Sequence, residues 1–365
     1  MRRAFLAITV AFTVFVAIGS AWQAASSGPY KVLKTAKVGG LGGFDYIYAD
    51  VAGRKLYIPR SGQPGATPAV GPRITVFDLD TLAPAGEIPD IRANGAAVDT
   101  ASGHGFASSK PVAMWDTKTL KLLGTIEVQG NPDGILQDSF NQRVYILSHQ
   151  APHVTVIDAK IGKVLGTLDL GGAPEQAVSD GQGHIYVDVS DKANVAVIDA
   201  KAMTVTAHYD LGDKGNGLAG LAMDLKNQVL FVAARNSGVP PAQPAKPTMV
   251  ILSAKDGKIL TTLPLAGGSD GAAFNPATME AFSTHGNGTL TVIKETSPTS
   301  FEVEQNLDTM AGAKTLTLDT MTGHVLTMAA EYGAPPAAAT PAPGGRGVGR
   351  GQMLPDSFSI LVVGK

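Results

Sequence analysis

Short runs of β-branched and other apolar residues alternate along the chain with clusters of Gly, Asn, Asp and Pro, and the pattern returns every ~40 residues. The clearest unit opens at Asn131-Pro132-Asp133-Gly134, continues through Ile135-Leu136-Gln137-Asp138 and turns at Ser139-Phe140-Asn141-Gln142. Arg143-Val144-Tyr145-Ile146-Leu147 and Val154-Thr155-Val156-Ile157-Asp158 follow, and a turn through Lys160 and Gly162 leads into Lys163-Val164-Leu165-Gly166-Thr167-Leu168-Asp169-Leu170. Period-two alternation bounded by turn formers predicts four short strands. Four antiparallel strands per unit make one blade of a β-propeller.

The third-strand pattern recurs at Ile74-Thr75-Val76-Phe77-Asp78, Val112-Ala113-Met114-Trp115-Asp116, Val195-Ala196-Val197-Ile198-Asp199, Met249-Val250-Ile251-Leu252-Ser253 and Leu290-Thr291-Val292-Ile293-Lys294. A degenerate copy stands at Phe358-Ser359-Ile360-Leu361-Val362. With the Asn131 unit this predicts seven blades, and innermost strands beginning near Phe44, Ala96, Ile135, Ala177, Leu221, Ala272 and Thr315 give the same number. Residues 30–38 read as an outer strand with nothing before it to pair with, while the last unit stops after three strands. The expectation is an all-β, seven-bladed propeller over residues 30–365, its last blade completed by the N-terminal strand so that both sheet edges vanish. An open solenoid would need polar capping repeats, which the sequence lacks.

The pattern Val-x-Val-Ile-Asp, a Gly-Lys-Val turn, a Gly-Gly-x-Pro junction and a Tyr-Val strand, best seen over residues 154–200 with Gly171-Gly172-Ala173-Pro174 and Ile185-Tyr186-Val187, resembles the YVTN-type (YncE-like) propeller repeat. The resemblance covers nearly the whole chain after its first residues. It implies an extracytoplasmic propeller, with DNA binding in one branch of the family and lactonase or lyase activity in related propellers. It is a repeat signature and does not point to a site.

Arg2 and Arg3 followed by an apolar run over residues 4–18 and by Gly19-Ser20-Ala21 read as a signal peptide over residues 1–21. The same stretch is just long enough for an uncleaved anchor, and its twin arginine also admits export of the folded protein. Either export route places the mature protein in the periplasm or outside the cell, with no membrane span once the leader is removed. The chain has no cysteine, so packing and ring closure must supply its stability. A net charge of -2, with no basic cluster outside Arg346 and Arg350, argues against nucleic acid as a partner. A monomer that takes a small polar ligand or a loop of a protein partner is the expectation.

In a propeller, the links from strand four to strand one and the loops from strand two to strand three share one face. Leading into the inner strands are Asp45, Asn94, Asp133, Glu175, Asn216, Asp270 and Lys314; closing the second strands are Arg60, Lys110, His149, Asp191, Arg235, His285 and Glu331. Both sets are expected around one polar funnel and form the candidate ligand-binding set. Pro-, Gly- and Ala-rich insertions at 61–72, 237–247 and 333–355 fall on the same face, where flaps over a site would lie. His149 and His285 are the catalytic candidates, since an imidazole moves protons near neutral pH. With Asp133, Glu175, Asp270 and Glu331 they also offer nitrogen and oxygen ligands for calcium, magnesium or zinc. His104, His184 and His324 are expected in turns on the opposite face, and Asp78, Asp116, Asp158 and Asp199 as local turn caps. Two function classes remain: a binding module, or a metal-dependent lactonase or lyase.

Overall fold

The computed structural model describes residues 28–238, 242–334 and 351–365. They form seven four-stranded antiparallel sheets arranged as a ring, with one short 3-10 turn at Gly212–Lys214. The innermost strands are Tyr48–Asp50, Ala93–Asp99, Pro132–Asp138, Pro174–Ser179, Asn216–Asp224, Ser269–Asn275 and Leu316–Asp319, and they number blades one to seven. Blade seven continues through His324–Ala329 and Ser359–Gly364, and its outer strand is Lys31–Lys37 from the start of the fold. Lys31 lies opposite Gly364 and Lys37 opposite Ser359. The closing strand is pinned from blade six as well. Tyr30 donates its backbone N–H to Gln305 Oε1 and accepts from Gln305 Nε2, both at 2.9 Å. Buried Glu280 accepts a hydrogen bond from the Tyr30 hydroxyl and pairs at 2.8 Å with Lys365 Nζ, so one carboxylate holds both ends of the ring.

Apolar residues sort by strand parity into clusters between neighbouring blades. Leu56, Ile58 and Phe77 meet Met328, Phe358 and Ile360 at the junction of blades one and seven, and comparable clusters fill the other gaps. Among the described residues no helix is long and apolar enough to cross a membrane. Residues 1–21, read as a leader, lie outside the described residues, as do Arg346 and Arg350 and most of the 333–355 insertion. Within the 61–72 insertion Gln63 and Val70 form a bridge, and Tyr332 bridges to Met353 at the edges of the last insertion.

One irregularity positions the site. In blades two to six the pairing of the first and second strands slips just inside the mouth of the channel, between Ala93 and Ala96, Pro132 and Ile135, Pro174 and Ala177, Leu218 and Leu221, and Ser269 and Gly271. An unpaired residue in such a bulge bends the strand and re-aims its side chain. Asn94, Asp133, Glu175 and Asp270 all sit inside these slips. The residue after Asp133 is Gly134, where a Cβ would meet the Glu175 carbonyl oxygen at 2.5 Å. The neighbouring blade approaches too closely for any side chain there.

Candidate functional site

The bulges turn their polar side chains toward the channel axis, where they join residues from the ends of second strands. Lys314 Nζ lies 2.8 Å from Asp45 Oδ1 and also pairs with Asp270 Oδ2. Asp270 is shared with Arg235, whose Nη1 reaches to 3.6 Å from Glu175 Oε1. His149 Nε2 stands 3.2 Å from Asp133 Oδ2 and 3.7 Å from Glu175 Oε2. Asn94 Nδ2 donates to Asp133 Oδ1 at 2.7 Å. The result is a chain of paired charges around the mouth, drawn from blades one to seven.

Partial burial strengthens the field within this chain. The close carboxylates of Asp133 and then Glu175 raise His149 to about 10, so the imidazole holds a positive charge at neutral pH. Burial works against charge on Asp270, yet Lys314 and Arg235 together outweigh it and hold that carboxyl below its ordinary value. Burial likewise opposes the charges of Lys314 and Arg235, and Asp270 overcomes it in both. Asp45 is pushed up, first by burial, with Lys314 pulling the other way.

Beneath the charges the channel is crossed twice. The Tyr46 hydroxyl donates to the Glu175 carbonyl oxygen at 3.2 Å and lies 3.4 Å from Asp133 Oδ2; burial, then Asp133, keeps it protonated. Lower down, Gln176 Oε1 accepts from Leu221 N at 3.0 Å and Ala272 N at 3.3 Å, reaching from blade four to blades five and six. A cavity of about 220 Å³ lies along this stretch, with Tyr46, Gln176, Ala272 and Leu316 among its walls. Buried Asp188 accepts from the bulge amides Gln176 N at 2.6 Å and Gly220 N at 3.1 Å, and burial lifts it to about 7. Sequence reading missed Tyr46, Gln176 and Asp188; the last two flank a slip in register that alternation alone does not reveal.

The structure therefore gathers Asp45, Asn94, Asp133, His149, Glu175, Arg235, Asp270 and Lys314, and leaves the rest of the expected set elsewhere. Arg60 is buried at the junction of blades one and seven, donating to the carbonyls of Gly42 and Gly40 at 3.1 and 3.0 Å with its guanidinium 3.7 Å from the Phe358 ring centre. Burial, then the like charge of Arg73, lowers it to about 9. His285 is fully buried, its Nδ1 2.9 Å from Thr289 Oγ1, and burial lowers it to about 4. It neither faces the funnel nor approaches the position expected of a proton carrier. Lys110 binds the Gly130 carbonyl at 2.7 Å, Asp191 caps Ala173 N at 2.7 Å, and Asn216 binds the Gly238 carbonyl at 2.8 Å. Glu331 is exposed, its backbone N–H donating to Ser357 Oγ at 3.1 Å.

The histidines expected in turns instead begin second strands: His104 Nδ1 lies 3.0 Å from the Ala159 carbonyl oxygen and His184 Nδ1 2.8 Å from Asp180 Oδ2. His324 also opens a strand. Asp78, Asp116, Asp158 and Asp199 cap their own turns through the N–H groups of Thr81, Thr119, Lys160 and Ala202 at 2.7–2.9 Å.

Within the mouth, Asp133, His149 and Glu175 form a group that could hold a metal ion, one donor atom of each lying within 4.8 Å of the others. No family model matches the chain, and no curated protein does. Solved structures do. A chain of Kuenenia stuttgartiensis hydrazine synthase aligns over 79% of this chain and 92% of its own, at 14% identity and a TM-score of 0.65. A chain of a mitotic checkpoint complex aligns over 90% of this chain and 96% of its own, at 11% identity and a TM-score of 0.64. At these identities the likeness is one of fold.

Proposed function

We propose that this is an exported binding protein of the YVTN repeat type, acting as a monomer, that holds a small polar ligand carrying both charges at the mouth of its channel. The observation that carries the reading is the chain of opposed charges from Asp45 through Lys314, Asp270, Arg235 and Glu175 to His149 and Asp133. A ligand carboxylate would compete with Asp270 for Lys314 and Arg235, and a ligand ammonium would meet Asp133 and Glu175. Such a surface selects for complementary charge rather than for one sign. A loop of a protein partner bearing both charges would satisfy the same groups. The propeller is commonly an interaction scaffold, which agrees with this use. Thermal melting against a panel of free amino acids, small dicarboxylates and polyamines tests it. At least one zwitterion is expected to raise the midpoint of the wild type and not of Arg235→Ala; identical responses in the two proteins would sink the reading.

A metal-dependent lactonase or lyase is the second reading, favoured by the Asp133, His149 and Glu175 group. Calcium, magnesium and zinc are the ions its donor types admit. A bound ion would polarise a substrate carbonyl. This reading is weaker because His285 is sealed in its blade, and a His149 that served as ligand would no longer be free to carry a proton.

A further inference from the structure

The corner made by Asp133, His149 and Glu175 has an internal order that a solvated polar patch lacks. In each carboxylate one oxygen faces the imidazole, that of Asp133 also lying 3.4 Å from the Tyr46 hydroxyl, and the other oxygen meets a donor from outside the group. Asp133 Oδ1 accepts from Asn94 at 2.7 Å, and Oδ2 stands 3.2 Å from His149 Nε2. Glu175 Oε1 faces Arg235 Nη1 at 3.6 Å, and Oε2 stands 3.7 Å from the same imidazole nitrogen. That nitrogen is almost sealed from solvent and makes no aligned hydrogen bond among the described residues. Donors on the outer oxygen are the means by which proteins aim the inner oxygen of a metal ligand. The backbone is equally fixed, since both carboxylates sit in register slips and Gly134 packs against the Glu175 carbonyl.

We propose that Asp133, His149 and Glu175 bind a single divalent ion of the zinc class, with Asn94 and Arg235 as the residues that position the two carboxylates. The inference deepens the second reading and rests on it, not on the zwitterion reading. The donor set decides the ion. One imidazole nitrogen with two carboxylate oxygens suits zinc and its first-row neighbours, whereas calcium asks for about six to eight oxygens and magnesium keeps most of its water. Three protein donors also leave a coordination position for water or a ligand group, the arrangement of working rather than purely structural zinc sites. Charge agrees: the dication would take the place of the proton that His149 holds between the two carboxylates, and the opposite half of the mouth is already neutral, Lys314 and Arg235 facing Asp45 and Asp270.

The test is calorimetric titration of the chelator-treated full chain with zinc, and in parallel with calcium and magnesium chlorides, for the wild type, His149→Ala, Asn94→Ala and, as an exposed-histidine control, His208→Ala. One equivalent of zinc is expected in the wild type and the control. Asn94→Ala should weaken zinc by about 10- to 100-fold, the usual effect of losing an outer donor, and shift the visible spectrum of the cobalt-substituted protein. His149→Ala should lose binding altogether. Metal-free melting curves show whether the variants fold, and Asn94→Ala keeps the test alive if His149→Ala does not. Substoichiometric zinc in the wild type, unchanged affinity in a folded His149→Ala, or calcium binding ahead of zinc would each overturn the inference. Running the zwitterion assay with chelator present separates the readings, since a retained ligand response without zinc binding removes this inference alone.

Discussion

The two ends of the channel are built by the same seven inner strands and use carboxylates in opposite ways. At the far end each strand finishes in, or is followed at once by, a buried Asp or Asn, namely Asp50, Asp99, Asp138, Asp180, Asp224, Asn275 and Asp319. Each accepts from an N–H of its own turn, as Asp180 does with Gln182 N at 2.7 Å and His184 N at 2.9 Å, while Asp99, Asp138 and Asp319 also bind Gln137, Ser179 and Arg54 of the adjoining blade. At the mouth the corresponding positions differ from blade to blade, and their charges face one another across the axis. Sameness around the ring marks what every blade needs in order to fold. Difference marks what the ring as a whole does. The space between follows suit, for the far end opens into a largely apolar pocket of about 420 Å³ with Leu136, Leu221, Met223 and Phe274 in its wall.

The sharpest way to break this contrast is to fill a bulge. Gly134→Ala places a methyl 2.5 Å from the Glu175 carbonyl oxygen, so the backbone of one blade must move. We expect a loss of about 1–3 kcal/mol, typical of overpacking, together with loss of zinc binding, because Asp133 and Glu175 shift together. Denaturant melts and the calorimetric titration report the two effects. Stable protein with intact zinc binding would show that the bulge does not set the site.

Next in size is a far-end cap. Asp180→Ala strips acceptors from two backbone N–H groups and from His184 Nδ1 at 2.8 Å. The expected cost is about 1–3 kcal/mol, that of leaving buried donors unpaired, with ligand and metal binding at the mouth unchanged. Altered binding would mean that the two ends are coupled through blade four.

The smallest effect is one of pH. Burial, and after it repulsion from Asp224, lifts Glu295 to about 7, while Asn227 Nδ2 donates to it at 2.6 Å. Between its ordinary value of 4.5 and about 7 the folded protein keeps a proton that the unfolded chain has lost, so stability falls as pH rises through that window. Glu295→Gln should flatten this part of the stability profile and leave the rest in place. Parallel curves for the two proteins would count against the assignment.

The ring and its closure were legible because a blade announces itself four times per repeat through alternation and turn formers. The mouth was only half legible, and the reason is parity. His149 and Arg235 lie one residue beyond Ser148 and Ala234, which pair with Pro132 and Leu218 at the edge of each slip. His285 pairs with Ser269 and therefore matches Ser148, one residue short. Arg60, bridged to Phe44, takes the same inward-packed place in blade one. A shift of one residue moves a side chain to the other face of its strand. Counting to the end of an apolar run cannot detect that shift, so Arg60 and His285 were expected in the funnel.

Glu280 and Gln305 receive Tyr30 across sequence separations of 250 and 275 residues, and three of the four strands of blade seven come from the far end of the chain. These strands are the last of the ring to be synthesised. Residues 31–37 therefore stay unclaimed until blade seven is made, and six blades can assemble before the seventh has anything to clasp. Their unpaired edge is a standing invitation to a neighbouring copy, so the speed with which the tail arrives governs whether a nascent molecule shuts upon itself or is captured by another.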